Sequence, residues 1–185
     1  NRIVDAGGAW DDFAQRAGAP ATSRSTVIGK SIWDFLQSPE LQGYMNTLFV
    51  ATRVTGHPVS LPYRCDSPLK PQRYMMTITP LRKGGLMVRH DPVALALDED
   101  DKCLPLRAFH AETKCSICCA VKVGDDWIDP FVQPCETMFP KGLGVCPKCK
   151  EDGAAKAAEI MALPRRRRPR LRLPAPATPR PPRPE

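Results

Sequence analysis

The chain lacks the features that mark several large classes of protein. No run of 18 or more apolar residues is present, so a membrane-spanning helix is not expected. Residues 1 to 14 contain no basic segment followed by an apolar run, which is the pattern of a secretory signal. The three histidines are scattered, and neither a Gly-x-Ser-x-Gly elbow nor a phosphate-binding loop occurs. These absences favour a non-enzymatic protein of the cytoplasm.

Cysteine, in contrast, is abundant, with eight residues in a chain of 185. In a reducing compartment, paired cysteines bind metal or perform redox chemistry more often than they form disulfides. Two pairs, Cys115-Ser-Ile-Cys118 and Cys146-Pro-Lys-Cys149, are separated by 27 residues. The two-residue spacer lets each pair chelate an ion from one tight turn, and Zn²⁺ favours tetrahedral ligation by four sulfurs. The spacing therefore predicts a closed, structural zinc site with these four cysteines as ligands.

Other assignments of the thiols stay open on the sequence alone. Cys119, Cys135 or His110 could replace a paired cysteine as a ligand, although none has a chelating partner at the two-residue spacing. A free cysteine is usually a small buried hydrophobe, and the two pairs could also form disulfides or stay unligated. The neighbouring thiols of Cys118 and Cys119, close to Lys122, could instead form a reactive cluster that senses oxidants.

The net positive charge of the chain is accounted for by its last residues. The net charge is +7, and residues 164 to 185 contain eight Arg and one Glu, which leaves the preceding part with balanced charge. The same 22 residues include eight Pro and show no apolar periodicity, which is typical of a disordered segment. Guanidinium groups bind phosphate in a bidentate manner. The tail is therefore either a nucleic-acid contact or a solubilising extension.

Apolar spacing predicts one long helix in the first half of the chain, from Pro39 to about Thr55. Five residues recur at the i, i+3, i+4, i+7, i+8 positions of a buried helical face: Leu41, Tyr44, Met45, Leu48 and Phe49. Ser38 is a natural N-cap before a proline at the first helical position, and Gly56 is a natural stop. We therefore expect an amphipathic helix with well-defined ends.

Around this helix the pattern predicts short elements. Before it we expect a strand at Arg2 to Asp5, a helix at Trp10 to Arg16 and one or two helical turns within Ile28 to Gln37. After it the apolar period changes from about 3.6 to 2, which indicates strands. Three segments qualify: Val59 to Arg64, Arg73 to Leu81 and Gly85 to His90. Tyr74, Met76 and Ile78 would face inward, where they either fill a core or line a ligand pocket.

Four segments of this region occur in a consistent order along the chain. They are Val27-Ile-Gly-Lys-Ser-Ile-Trp33-Asp-Phe, Gly56-His-Pro-Val, Leu61-Pro-Tyr-Arg-Cys-Asp-Ser-Pro68 and Arg73-Tyr-Met-Met. Together with the earlier Trp10-Asp-Asp-Phe-Ala14, this order resembles the PAS-like modules of bacterial signalling proteins. The resemblance implies a five-stranded antiparallel sheet with helices on one face, a pocket between them, and dimerisation.

The cysteine pairs are surrounded by a second set of local signals. The first pair leads into a predicted hairpin over residues 120 to 128, as at the start of a zinc ribbon. The second pair precedes an Ala-rich helix over Glu151 to Leu163. Trp127 after the first pair and Gly144 before the second make the unit similar to four-cysteine segments found beside PAS-like and receiver modules in bacteria. The gap between the pairs exceeds that of common ribbons, and we place the insertion around Pro130 to Lys141.

These patterns predict an α+β protein in four parts. The parts are a PAS-like sensor domain over residues 1–92, an acidic linker over 93–102, a zinc-ribbon-like unit with a C-terminal helix over 103–163, and a disordered tail over 164–185. The predicted function is non-enzymatic signal sensing, in which a small ligand, a protein partner or a second copy of the chain biases the PAS-like domain. The alternative hypotheses are a nucleic-acid-binding transcriptional regulator, which would use the zinc unit and the Arg-rich tail, and a thiol redox sensor.

Overall fold

The computed structural model describes residues 1–16, 19–66, 71–93, 113–130 and 140–166. The helices in these ranges are α1 (Trp10–Arg16), α2 (Arg24–Val27), α3 (Pro39–Thr55) and α4 (Pro147–Met161). The strands are β1 (Val59–Arg64), β2 (Arg73–Pro80), β3 (Leu86–Val93), β4 (Thr113–Cys115), β5 (Val121–Val123), β6 (Asp126–Ile128) and β7 (Gly142–Gly144). None of the described helices is long and apolar enough to cross a membrane. The fold is mixed α+β, as predicted.

Helix α3 has the bounds and the caps that the sequence predicts. The hydroxyl of Ser38 accepts the N–H of Leu41 at 3.1 Å. At the other end Gly56 adopts a left-handed conformation, with φ of 76°, and its N–H donates to Thr52 O. Glycine adopts this conformation without the steric cost that other residues bear. The predicted apolar face is buried except at its first position, where Leu41 is half-buried.

Strands β1, β2 and β3 form an antiparallel sheet in that order, and one face of this sheet packs against α3. The register pairs Leu61 with Met76 and Val59 with Ile78, so that these four apolar side chains share the inner face. Ile78 of β2 and Leu48 of α3 are both fully buried, and they belong to the same hydrophobic cluster between the sheet and the helix. The inward-facing Met76 and Ile78 therefore fill a core, which was one of the two predicted roles. Tyr74 is only half-buried.

The N-terminal region departs from the prediction in two places, the first of which is α2, because this helix precedes the helical region expected within Ile28 to Gln37. Helix α1 has its predicted bounds, and a short 3-10 helix spans Ile32–Phe35 inside the predicted helical region. The predicted strand at Arg2 to Asp5, however, is reduced to a single bridge between Arg2 and Ser31. The sheet that the PAS-like resemblance implies thus has three strands, not five, among the described residues.

The cysteine-bearing part forms a second sheet, in the order β6, β5, β4, β7. Strands β5 and β6 make the predicted hairpin, with Gly124 at φ 61° in its turn. Strand β7 pairs with β4 in parallel. Helix α4 begins at Pro147, four residues before its predicted start, because Cys146 serves as the N-cap and its Sγ accepts the N–H of Cys149 at 3.5 Å.

The two predicted units contribute to one hydrophobic core. Helix α4 packs against α3 through a narrow face made of Cys149, Gly153, Ala157 and Ile160. These residues join a continuous cluster with Leu48 and the inner face of the first sheet.

Several predictions concern residues outside the described ranges: the linker beyond Val93, the tail beyond Arg166, most of the inserted loop, and the alternative ligands Cys135 and His110.

Two buried threonines in the last turns of α3 provide a matched test of this core. Thr52 is fully buried and its hydroxyl has no hydrogen-bond partner among the described residues. The hydroxyl of Thr55 donates to Ala51 O at 2.8 Å and accepts the N–H of His57. Since valine has nearly the same shape as threonine, Thr52→Val should raise the free energy of unfolding by about 1 kcal/mol, and Thr55→Val should lower it by a similar amount. Urea denaturation at constant m-value measures both changes. Equal effects of the two substitutions would contradict the assigned hydrogen bonds.

Candidate metal centre

The parallel pairing of β4 with β7 brings the two cysteine pairs together. Cys115 at the end of β4 lies opposite Gly144 at the end of β7. The ladder continues for one step, because the N–H of Ser116 donates to Gly144 O at 2.9 Å. A side chain at position 144 would press on the methyl group of Thr113, at 3.0 Å from a Cβ atom. Both pairs thus leave the sheet at the same edge, one in a turn and the other at the start of α4.

The four predicted ligands converge at this edge. Their Sγ atoms all lie within 4.8 Å of one another, and the Sγ atoms of Cys118 and Cys146 are 3.7 Å apart. Cys115, Cys146 and Cys149 are buried, whereas Cys118 is half-buried. Four thiols at this separation could hold a metal ion, because each offers one soft donor atom to a common centre. The structure therefore brings together the whole predicted ligand set.

Backbone and thiol donors point at the sulfur of Cys115. The N–H groups of Ile117 and Cys146 approach its Sγ at 3.5 and 3.4 Å. Hydrogen bonds from the thiols of Cys118 and Cys149, and then from backbone N–H groups, lower the pKa of Cys115. The same contact with Cys115 raises the pKa of Cys118 to about 12 and also raises the pKa of Cys149. These donors favour a thiolate in the cluster, and a bound cation would neutralise its charge.

Cys119 points away from the cluster. Its backbone is left-handed, with φ of 62°, at the position that ends the first turn. Its Sγ lies 3.4 Å from the backbone carbonyl of Arg64 in β1, to which it donates. Burial raises the pKa of Cys119, which disfavours the reactive thiolate. The structure thus excludes Cys119 from the four converging thiols and gives it a role as a packed, hydrogen-bonded side chain.

An ion-pair network links the first sheet to the end of β6, and a backbone hydrogen bond links it to the cysteine turn. The guanidinium of Arg64, at the end of β1, contacts both Asp66 and Asp129, with 2.6 Å between its Nη2 and Asp66 Oδ2. The side chain of Asp66 is only 4% exposed and also accepts the N–H of Gln72. The Arg64 N–H donates to Ile117 O at 2.7 Å. Breaking such a buried network typically costs about 3–5 kcal/mol, since it leaves an uncompensated charge.

On the opposite side, the site rests against the contact between α3 and α4. Tyr44 of α3 lies against Gly153 of α4, and any side chain at position 153 would collide with the tyrosine ring. Burial, with the nearby Cys149 and Cys115 as smaller causes, raises the pKa of Tyr44 to about 12. The glycine thus lets the two helices approach closely, one turn beyond Cys149.

The sequence predicts the four converging cysteines but not their surroundings. The network of Arg64, Asp66 and Asp129 joins residues far apart in the chain, and no local pattern signals it. Gly153 did carry a signal, because a glycine inside an Ala-rich helix costs about 1 kcal/mol relative to alanine and often marks close packing.

Comparisons with protein-family models, with curated proteins and with solved structures found no match to this chain.

A pair of glycine substitutions tests the helix contact. Gly153→Ala should destabilise the protein by about 1–3 kcal/mol, because overpacking against Tyr44 outweighs the gain in helix propensity. Gly43 lies inside α3, is exposed, and has open space where a Cβ would stand. Gly43→Ala should therefore stabilise the protein by about 0.5–1 kcal/mol. Thermal and urea unfolding of both variants give the comparison, and a stabilised Gly153→Ala protein would show that the helices do not approach as described.

Proposed function

We propose that the protein is a non-catalytic regulatory module in which the four-cysteine site holds a structural Zn²⁺ ion. The observation that carries this proposal is the position of the site. Cys115, Cys146 and Cys149 belong to the same buried cluster as Leu48 and Ile78. A metal ion held by these side chains would cross-link the interior of the protein. Structural zinc sites contribute directly to folding free energy.

The donor set supports zinc in a closed site. Four sulfur ligands complete the tetrahedral shell that Zn²⁺ prefers, so no coordination position is left for a substrate or an activated water. Iron is the competing metal for the same donors. The N–H groups that point at Cys115 and Cys146 reduce the negative charge that four thiolates would place on one ion.

The regulatory part of the proposal rests on the PAS-like resemblance and on the surfaces that stay open. Side chains, Leu48 and Ile78 among them, fill the space between α3 and the first sheet, and a small ligand would have to displace them. Two open grooves lie instead along the outer side of α3. One is shared with α4 and includes Val50 and Met161, and the other includes Trp33. These surfaces favour a protein partner or a second copy of the chain as the signal, which would shift the module between two packings.

Metal analysis of two cysteine variants tests the zinc site. Reduced, freshly purified protein should carry about one zinc per chain, measured by plasma mass spectrometry. Cys146→Ser should lose the metal and unfold α4, seen as a loss of far-UV helical signal, because the ion would tie the start of this helix to the first cysteine pair. Serine can still cap the helix, so the loss would report ligation and not capping. Cys119→Ser should retain the metal, since its side chain faces Arg64 O and a serine hydroxyl can donate to the same acceptor.

A chelator titration of the unmodified protein gives the same test if Cys146→Ser proves insoluble. Removal of the metal should lower the melting temperature, and added Zn²⁺ should restore it. Protein that contains neither zinc nor iron when fresh, or a Cys146→Ser variant with a full metal complement, would contradict the site.

Cobalt substitution tests whether the site is closed. Co²⁺ in place of Zn²⁺ should give the absorption of a tetrahedral four-sulfur centre. Addition of imidazole or azide should leave that spectrum unchanged, because four protein thiolates leave no open position. A spectrum that shifts with added ligand would mean that one coordination position is open, and it would contradict a purely structural role.

A further inference from the structure

Charge is segregated along the part of the chain that precedes the tail. Residues 39 to 93, which span α3 and the first sheet, contain seven Lys and Arg and three acidic residues, Glu40, Asp66 and Asp91. Asp66 and Asp91 are already engaged with Arg64 and Arg89. Residues 94 to 163, which contain the two cysteine pairs, carry 12 acidic and eight basic residues. The balanced total of residues 1 to 163 thus conceals a basic helix-and-sheet region beside an acidic one.

Part of this basic charge gathers at one end of the first sheet. The turn between β2 and β3 is fixed to the last turn of α3, where Arg53 Nε donates to Gly84 O at 2.9 Å. The start of the Arg-rich segment is fixed to the same helix end, since the Arg166 N–H donates to Thr55 O at 2.8 Å. His57 Nε2 also donates to Pro164 O at 2.8 Å. Two separate basic segments therefore each contact the C-terminal end of α3 or the residue just after it.

We call this surface the basic end and define it by the four cations of the two segments that contact this helix end: Arg82, Lys83, Arg165 and Arg166. All four residues are exposed, and no acidic side chain in the described ranges pairs with them. Lys83 adopts a left-handed backbone conformation, with φ of 56°, that non-glycine residues rarely take. Gly56 lies under the Arg166 carbonyl, which a side chain at position 56 would strike. The backbone that presents these cations is thus held by specific contacts.

From these observations we infer that the basic end binds the phosphodiester backbone of a nucleic acid. Three of its four cations are arginines, whose planar guanidinium groups pair with phosphate oxygens in a bidentate manner. The chain continues from Arg166 into further arginines, Arg167 and Arg168, which extends the same charge in sequence. Binding of this kind neutralises phosphates and releases counterions, so it is steeply salt-dependent and independent of base sequence. The inference does not depend on the identity of the metal or on the regulatory proposal.

A charge-removal variant of the full chain tests the inference with a fluorescently labelled DNA duplex of about 20 base pairs as the probe. Arg82→Gln combined with Lys83→Asn removes two cations, and asparagine tolerates the left-handed backbone at position 83. We expect the affinity, measured by fluorescence anisotropy near 0.1 M salt, to fall by about tenfold or more. The slope of log K against log salt should decrease in magnitude by about 2. Lys141→Gln combined with Lys150→Gln removes the same charge from exposed positions of the cysteine-bearing part and should change both quantities far less.

Each outcome of this experiment decides the inference. Unfolding curves that match the parent protein establish that the double variant is folded. A parent protein that does not bind the duplex at 50 mM salt overturns the inference. A folded Arg82→Gln, Lys83→Asn variant with unchanged affinity also overturns it, because binding would then belong to the tail alone. Equal losses of affinity in the two double variants would overturn it as well, because binding would then depend on the net charge of the protein and not on this surface. Vesicles with about one-third phosphatidylserine serve as a second probe, and a loss of vesicle binding without a loss of duplex binding would assign the surface to anionic lipid instead.

Discussion

The short parallel pairing of β4 with β7 is the constraint on which the rest of the cysteine-bearing part depends. It sets Cys115 opposite Gly144, so that two chain segments leave the sheet at the same edge. One segment turns back through Cys118, and the other starts α4 at Cys146. The start of α4 is therefore set by the same residues that supply the converging sulfur atoms. A metal ion at this point would hold the turn, the strand end and the helix start together.

The direction of α4 determines in turn how the core closes. Its packing face offers mainly small residues, with Gly153 and Ala157 between Cys149 and Ile160, so the helix can lie close to α3. Small side chains bury little apolar area, and each contributes correspondingly little to stability. The hydrogen bonds between β1 and the cysteine turn, and the charged network around Arg64, add polar links on the other side of the site. Apolar packing and the four thiols are thus combined in one interior, so a metal ion held there would be coupled to the packing of the core.

Local patterns in the sequence identified most of the secondary structure. The caps and apolar period of α3, the alternation of β2 and the turn at Gly124 each depend on residues a few positions apart, so they can be read directly. The failures share another physical cause. The strand expected at Arg2 to Asp5 needs a neighbouring strand for its hydrogen bonds, and it found only Ser31. The start of α4 was placed late because Cys146 was assigned as a ligand only, although its sulfur also accepts the N–H that an N-cap must satisfy.

The sequence by itself determined which four cysteines are the candidate ligands, because the two-residue spacer of each pair suits chelation of one ion. It also determined the identity of the main helix and of the three strands after it, and the ends of that helix, which are set by local hydrogen bonding and burial. Only the tertiary structure decided that Cys119 faces Arg64 instead of the cluster, and that α4 packs into the same core as the first sheet. It alone brought the turn at Lys83 and the start of the Arg-rich segment to one helix end. These outcomes depend on contacts between residues tens of positions apart, whose geometry is fixed by packing and strand register and leaves no periodic trace in the chain.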